Sequence, residues 1–275
     1  IEKASSLYAA AFKGYDEVIK VLVKSGLDVG KDTGREHVHK ETQRITKETS
    51  LHTAARNGHA TVIKVLVKSG LDVGKDTGWE QVDKETQQIT KETSLFSAAR
   101  NGHATVIKVL VKSGLDVGKD TGMEQFDKKT KVCILKTSAL HAAARNGHAT
   151  VIKVLVKSGL DVGKDTGWVE FDIEKQHITN LSSLYTAAAY GHATVIKVLI
   201  NIGVDINNGV VEFDQKKQKK KQYIPPITIA KLKEKWGCLS LLANAKKNEK
   251  EVSAAEPSKP EECAAGAGTP EARQQ

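Results

Sequence analysis

The side chains able to do acid–base or metal chemistry fall at regular intervals in this chain, and the intervals say more than the residue types. His59, His103, His148 and His192 recur at steps of 44, 45 and 44 residues. Units repeated along a chain stack about one helix diameter apart, roughly 10 Å, whereas a metal ion gathers its ligands at about 2 Å. These four rings therefore cannot share an ion and read as framework. His52 and His141 form a second series in which Tyr8, Phe96 and Tyr185 replace them. Neither a catalytic base nor a ligand tolerates exchange for phenylalanine, so this position reads as a partly buried ring that orders the neighbouring turn.

The other candidates are thinner. His37-Val38-His39 puts two imidazoles on one face of a strand, a weak metal pair that no cysteine or carboxylate completes. Gly74-Lys75-Asp76-Thr77-Gly78 lacks the spacing of a phosphate loop and occurs four times, which marks it as turn chemistry. Cys133, Cys238 and Cys263 are isolated and imply no disulfide framework. No nucleophile has its own base. The sequence predicts no catalysis, no cofactor, no metal and no small-molecule substrate.

The elements that carry these residues are copies. The 17 residues Val18 to Gly34 recur unchanged from Val62, Val106 and Val151, and a diverged fifth copy begins at Tyr190. Such a period means a solenoid, a propeller or an array. Within one copy, Thr49 is placed to cap a two-turn helix A that ends at Gly58, where a left-handed residue is wanted. His59 to Ser69 then spreads Val62, Ile63, Val65, Leu66 and Val67 around a second helix B, closed by Gly70. Apolar residues on so many sides predict burial over most of its circumference. A single helix pair cannot achieve that, so the copies must stack.

Ser50-Leu51-His52-Thr53-Ala54-Ala55, then Gly58-His59, Val62-Ile63, Leu66, Gly70 and Asp72-Val73 resemble the ankyrin repeat, and the match returns in all five copies. Three departures stand out. Serine, or Ala139 in copy four, occupies the family's proline position. Leu27, Leu71, Leu115 and Leu160 replace a small alanine, and Gly30, Gly74, Gly118 and Gly163 replace an asparagine. The ankyrin unit is about 33 residues long, so each copy carries roughly eleven extra. The surplus, Trp79 to Glu92 in copy two, has threonines, Val82 and Ile89 around a polar centre and predicts an elongated hairpin finger of unassigned turn type, with an unstructured loop as the alternative.

The resemblance implies an all-α class with short β-hairpin fingers: a right-handed, ankyrin-like α-solenoid of stacked helix-turn-helix repeats. The array is expected over 1–245, with repeats at about 1–48, 49–92, 93–137, 138–181 and 182–222. A capping repeat over 223–245 follows, in which Pro226 to Ala230, Trp236-Gly237 and Leu239, Leu241 and Leu242 echo the family's last unit. Lys231, Lys233, Glu234 and Lys235 give it a polar outer face. From 246 to 275 the composition predicts disorder. At the other end no polar cap is visible, and Tyr8 and Phe12 are expected to lie under an upstream repeat.

Family members generally bind proteins through hairpin tips and the concave helix-A side, and here the copies differ at those places. Arg35, Trp79, Met123 and Trp168 open the hairpins, and Arg56, Arg100, Arg145 and Tyr190 stand at the end of helix A. Arginine and tryptophan are common interface anchors, so these eight form the expected partner-binding set of a protein scaffold. Neutral drift of a solvated surface is the competing account. A formal charge of +9, concentrated in Lys216, Lys217, Lys219, Lys220 and Lys221 of the fifth hairpin and extended by Lys40, Lys84, Lys128 and Lys129, raises an alternative: weak binding of nucleic acid or anionic membrane through basic tips. A third reading is the regulatory domain of a larger enzyme. With no signal peptide, no long apolar run and few cysteines, the expected setting is intracellular, cytoplasmic with the nucleus as alternative.

Overall fold

A computed structural model describes residues 2–255, apart from 131, 165–166, 173–175, 215–216 and 218. A short strand β1 (Glu2–Ala4) leads into α1 (Ser6–Lys13) and α2 (Asp16–Lys24), and the hairpin β2 (Arg35–Val38) and β3 (Arg44–Glu48) completes the first unit. The order helix A, helix B, hairpin then repeats. It gives α3 (Ser50–Arg56), α4 (Ala60–Lys68), β4 (Trp79–Asp83) and β5 (Gln88–Glu92), then α5 (Ser94–Arg100), α6 (Ala104–Lys112), β6 (Met123–Asp127) and β7 (Cys133–Thr137). The fourth unit is α7 (Ala139–Arg145), α8 (Ala149–Lys157), β8 (Trp168–Asp172) and β9 (His177–Leu181). The fifth is α9 (Ser183–Tyr190), α10 (Ala193–Asn201), β10 (Val210–Asp214) and β11 (Lys219–Ile224), before the closing pair α11 (Pro226–Leu232) and α12 (Trp236–Ala255).

Local chemistry accounts for the helix boundaries. Thr49 Oγ1 accepts from the His52 amide at 3.1 Å, and Thr93, Ser138 and Ser182 cap their helices in the same way. Gly58 ends α3 at φ +81°. The interior is one continuous cluster from Leu7 to Leu242 in which Val62, Ile63 and Leu66 of α4 and their equivalents in α6, α8 and α10 are fully buried, while in α2 only Ile19 is. Val65 is partly covered in α4 and its equivalents Val109, Val154 and Val198 are buried, whereas Lys64, Lys108, Lys153 and Lys197 on the far side are exposed, so helix B buries one broad stripe rather than most of its circumference. The histidines at the helix A–helix B junction staple the units together: His59, His103, His148 and His192 each point Nε2 at a backbone oxygen of the preceding unit, at 2.8 to 3.1 Å.

The hairpins correct the all-α expectation. They are not separate fingers but one eleven-stranded antiparallel sheet in which β1 to β11 lie in chain order. Each strand pairs within its hairpin and with the neighbouring unit, as Glu48 opposite Trp79 and Trp79 opposite Glu92 illustrate. The cause is a match of lengths. Stacked helix pairs advance about 10 Å per unit, which equals two inter-strand spacings of about 4.8 Å, so successive hairpins meet edge to edge. Apolar residues oppose one another from strand to strand, Val38, Ile45, Val82, Ile89 and Phe126 across β2 to β6, and Phe171, Ile178 and Phe213 across β8 to β10, with a register shift between β6 and β7 separating the two runs. Asp83 shapes its turn by accepting from the Glu85 and Thr86 amides at 2.9 and 3.1 Å, while Gln87 takes a positive φ of 57°.

Two boundary expectations change at the C-terminal end. β11 runs to Ile224, past the 222/223 division, because it completes the pairing with β10. Glu234, at φ +54°, takes the left-handed place after α11, and Gly237 lies inside the second helix of the closing pair. α12 continues to Ala255 through the span expected to be disordered from 246, because Lys, Glu and Ala favour helix and no proline intervenes before Pro257; 256–275 lie outside the described residues. Tyr8 is buried, its hydroxyl donating to Glu48 at the end of its own unit's hairpin, whereas Phe12, Tyr15, Val18 and Val21 are exposed.

Candidate functional site

Helices A meet the sheet along one row of residues at the base of the hairpins. In register across the strands stand Arg35, Glu48, Trp79, Glu92, Met123, Thr137, Trp168 and Leu181. Directly opposed residues share a sheet face, and Glu48 shows which one, since its carboxylate reaches Tyr8, His52 and Arg56 on the A helices. Arg35, Trp79, Met123 and Trp168 therefore lie at the base of the sheet and are half-buried, not at exposed tips. The Lys-Asp-Thr-Gly turn brings the chain straight back to the preceding unit, with the Thr49 amide 3.0 Å from the Gly78 carbonyl oxygen. The residue after the glycine is consequently the first of a strand.

The row contains a buried ionic chain that the sequence reading missed. Glu48 and Glu92 are 5% and 6% exposed and His52 only 1%. His52 Nδ1 lies 2.9 Å from Glu48 and its Nε2 3.5 Å from Glu92, so the ring bridges two repeats. The Tyr8 hydroxyl donates to Glu48 at 2.8 Å and the Ser97 hydroxyl to Glu92 at 2.6 Å. Burial alone would favour a neutral ring, but the hydrogen bonds and charges of the two carboxylates outweigh it and hold the His52 pKa above its ordinary value. Burial likewise works against the carboxylates, yet His52 and their other donors keep both below the usual range. The available signal was Glu48 and Glu92 at equivalent positions, each one residue before a helix cap.

The same place in the next unit is built differently. Thr137 replaces the carboxylate, and no carboxylate among the described residues pairs with His141, whose Nε2 lies 3.3 Å from the Thr186 hydroxyl. Burial, with help from nearby Arg145, lowers the His141 pKa to about 4. A second carboxylate series shows a parallel gap. Asp32 accepts from Ser5 and Ser50 at 2.6 and 2.5 Å, and Asp76 from Thr49 and Ser94 at 2.6 and 2.5 Å. Ala139 removes the second hydroxyl from Asp120, and burial raises that carboxyl to about 6.

These differences decide how the arginines are presented. Arg56 is tied to Glu48 at 3.1 Å and Arg100 to Glu92 at 2.9 Å, with Arg100 also over the Phe96 ring at 5.6 Å. Arg145, beside Thr137, is exposed and lies 5.4 Å from the centroid of the Tyr190 ring, itself 52% exposed. The structure thus gathers Arg56, Arg100, Arg145 and Tyr190 along the ends of helices A. Arg35 forms an ion pair with Glu2 at 2.9 Å. Of the expected basic tip, Lys217 and Lys219 are exposed and Lys220 and Lys221 belong to β11, whereas Lys216 lies outside the described residues.

Among the described residues no cluster of three or more His, Cys, Asp or Glu side chains could hold a metal, and no helix is long and apolar enough to cross a membrane. His37 and His39 do meet, with ring centroids 4.1 Å apart, but without a third ligand.

Comparison with known proteins follows the geometry. No curated protein matches the chain. The crystal structure of the human ASB11 ankyrin repeat domain is similar to it at 21% identity and a TM-score of 0.56, over 88% of this chain and 83% of that one. A family profile for ankyrin repeats matches three times, over 6–121, 78–166 and 122–210, which together span most of the array. With its capped helix pairs and stacked hairpins, the chain belongs to the ankyrin repeat family.

Proposed function

We propose that the array is a protein-binding scaffold without catalysis of its own, acting in an intracellular setting and engaging its partner through the ends of helices A and the base of the sheet. Ankyrin repeats are generally protein–protein interaction modules. The observation that supports the surface is where the copies diverge. Helices α4, α6 and α8 are identical in sequence, whereas Arg35, Trp79, Met123 and Trp168 change from unit to unit along one continuous row. Arg145 and Tyr190 add an exposed cation–π pair beside it. Half-buried indoles supply contact area at little entropic cost, since their neighbours already hold them.

The experiment is capture of a partner by the array, followed by affinity measurement with single variants. Trp79→Ala or Trp168→Ala is expected to weaken binding by more than ~1 kcal/mol, and Arg145→Ala by a comparable amount. Unchanged affinity in all three would leave divergence without function as the account of this row. The alternative of nucleic-acid binding through hairpin lysines finds no stacking aromatic beside Lys217 or Lys219 in the sequence of that turn.

A further inference from the structure

The outer face of α4, α6, α8 and α10 takes no part in that reading and carries charge of a single sign. Lys64, Lys108, Lys153 and Lys197 occupy the same position on α4, α6, α8 and α10, and all four are exposed. One turn later Lys68, Lys112 and Lys157 repeat the pattern on the first three of these helices, also exposed. Residues four apart share a helix face, and this face is opposite the stripe of Val62, Ile63 and Leu66 that enters the core. Helices B pack α4 on α6, α6 on α8 and α8 on α10. At about 10 Å per step, the seven ammonium groups form a lattice of two rows.

Nothing on these helices neutralises the lattice. In the first unit Asp16 and Glu17 hold Lys20 at 3.2 and 2.6 Å. The later copies replace that acidic pair with Ala60-Thr61, Ala104-Thr105, Ala149-Thr150 and Ala193-Thr194, and α4, α6, α8 and α10 contain no acidic residue. The loop lysines behave differently: Lys75 and Lys119 are each paired with an aspartate at 3.3 Å. No such pair joins a carboxylate among the described residues to any of the seven.

A second observation lies at the end of the same layer. Trp236 opens α12, which packs on α10. It stands at the position of Ala60, four residues before Ser240 at the position of Lys64, and is therefore on the lysine face. Its side chain is 66% exposed. An indole left in water at the rim of a cationic lattice has the chemistry of a membrane–water interface, where tryptophan concentrates and lysine stems lie along apolar surface with the charge in the headgroups.

We propose that the outer face of helices B is a docking surface for an anionic phospholipid bilayer. The lattice extends in two dimensions, as a plane of headgroups does. It offers compact ammonium charges, with no arginine fork for bidentate phosphate or base-edge contacts and no aromatic rings between the lysines on which bases could stack. Docking on this side leaves the helix-A ends free, so the array can hold a protein partner at a membrane.

The test is flotation of the protein with phosphatidylcholine vesicles with and without phosphatidylserine. A lysine near an anionic surface is worth about fivefold in partitioning, so the combined Lys64→Gln, Lys108→Gln, Lys153→Gln and Lys197→Gln variant should lose several-hundredfold, roughly. Trp236→Ala should weaken partitioning and abolish a vesicle-induced blue shift of tryptophan emission. If the four-site variant melts early by circular dichroism, Lys68→Gln, Lys112→Gln and Lys157→Gln test the second row. Equal binding to uncharged vesicles, no binding at all, or unaltered binding by both lysine variants would overturn the proposal. Loss of vesicle binding on Lys217→Gln and Lys219→Gln instead would move the site to the hairpin tip, and preference of the same lysines for duplex DNA over vesicles would replace the bilayer with nucleic acid. Trp79→Ala and Trp168→Ala should leave vesicle binding unchanged, which separates this surface from the protein-binding one.

Discussion

His52 and His141 occupy one position of the repeat yet sit in opposite electrostatic settings, and exchanging one neighbour should move the second towards the first. Thr137→Glu places a carboxylate where Glu48 and Glu92 stand, in register with Met123 and Trp168. The magnitude follows from burial. His141 has an ordinary value of 6.5 and is held at about 4 in the fold. Each unit corresponds to 1.36 kcal/mol, so protonating it in the native state costs about 3 kcal/mol. The sign is set by proton uptake. Above pH 6.5 both states carry a neutral ring and there is no effect. Between 6.5 and about 4 the unfolded chain binds the proton and the native state does not, so stability falls as pH falls. At pH 5 the loss from this residue is about 2 kcal/mol.

In the Thr137→Glu variant, His141 gains one of the two carboxylates that flank His52, Leu181 standing where the second would be, so its value should rise from about 4 and that acid-side loss should shrink. The assays are urea unfolding of parent and variant between pH 7.5 and 4, about one unit beyond the window on the alkaline side, and titration of the histidine ring protons by NMR. Comparing slopes against pH, rather than absolute stability, removes the constant cost of burying a new carboxylate. A parent His141 that titrates near 6.5, or parallel pH profiles in the two proteins, would refute the reasoning.

Ala139→Ser should give Asp120 the hydroxyl partner that Asp32 and Asp76 already have; because a raised carboxyl loses stability as pH rises from 3.8 to about 6, the gain should appear at pH 7 and be absent at pH 3.5 in urea midpoints. Leu110→Ala, at a fully buried site of α6, should cost about 2–5 kcal/mol by leaving a cavity, measured by the same unfolding assay. Gly78→Ala should destabilise more than Gly70→Ala, since its new Cβ would lie 2.2 Å from the Glu92 carbonyl oxygen while nothing stands within 4 Å of the other; thermal melting of the two variants checks the order.

The sequence alone determined the repeat, its helices and most of its core. The signals are local: Thr49 and its equivalents cap the next turn, Gly58 supplies a left-handed residue, and the 3.6-residue periodicity of Val62, Ile63 and Leu66 marks the buried stripe. Tertiary structure decided what depends on neighbours. The hairpins join into a single sheet only because the stacking step of the helices matches two strand spacings, a relation between units that no single copy contains. Trp79 and Trp168 move from expected tips to the base of that sheet for the same reason. The contrast between His52 and His141 is of this kind as well. The residue type and repeat position are identical, and the setting of the ring is decided by whether the flanking strands end in Glu48 and Glu92 or in Thr137 and Leu181. Two carboxylates delivered from the second strands of successive hairpins, β3 and β5, favour a buried imidazolium, whereas a hydroxyl leaves burial to dominate and the ring stays neutral.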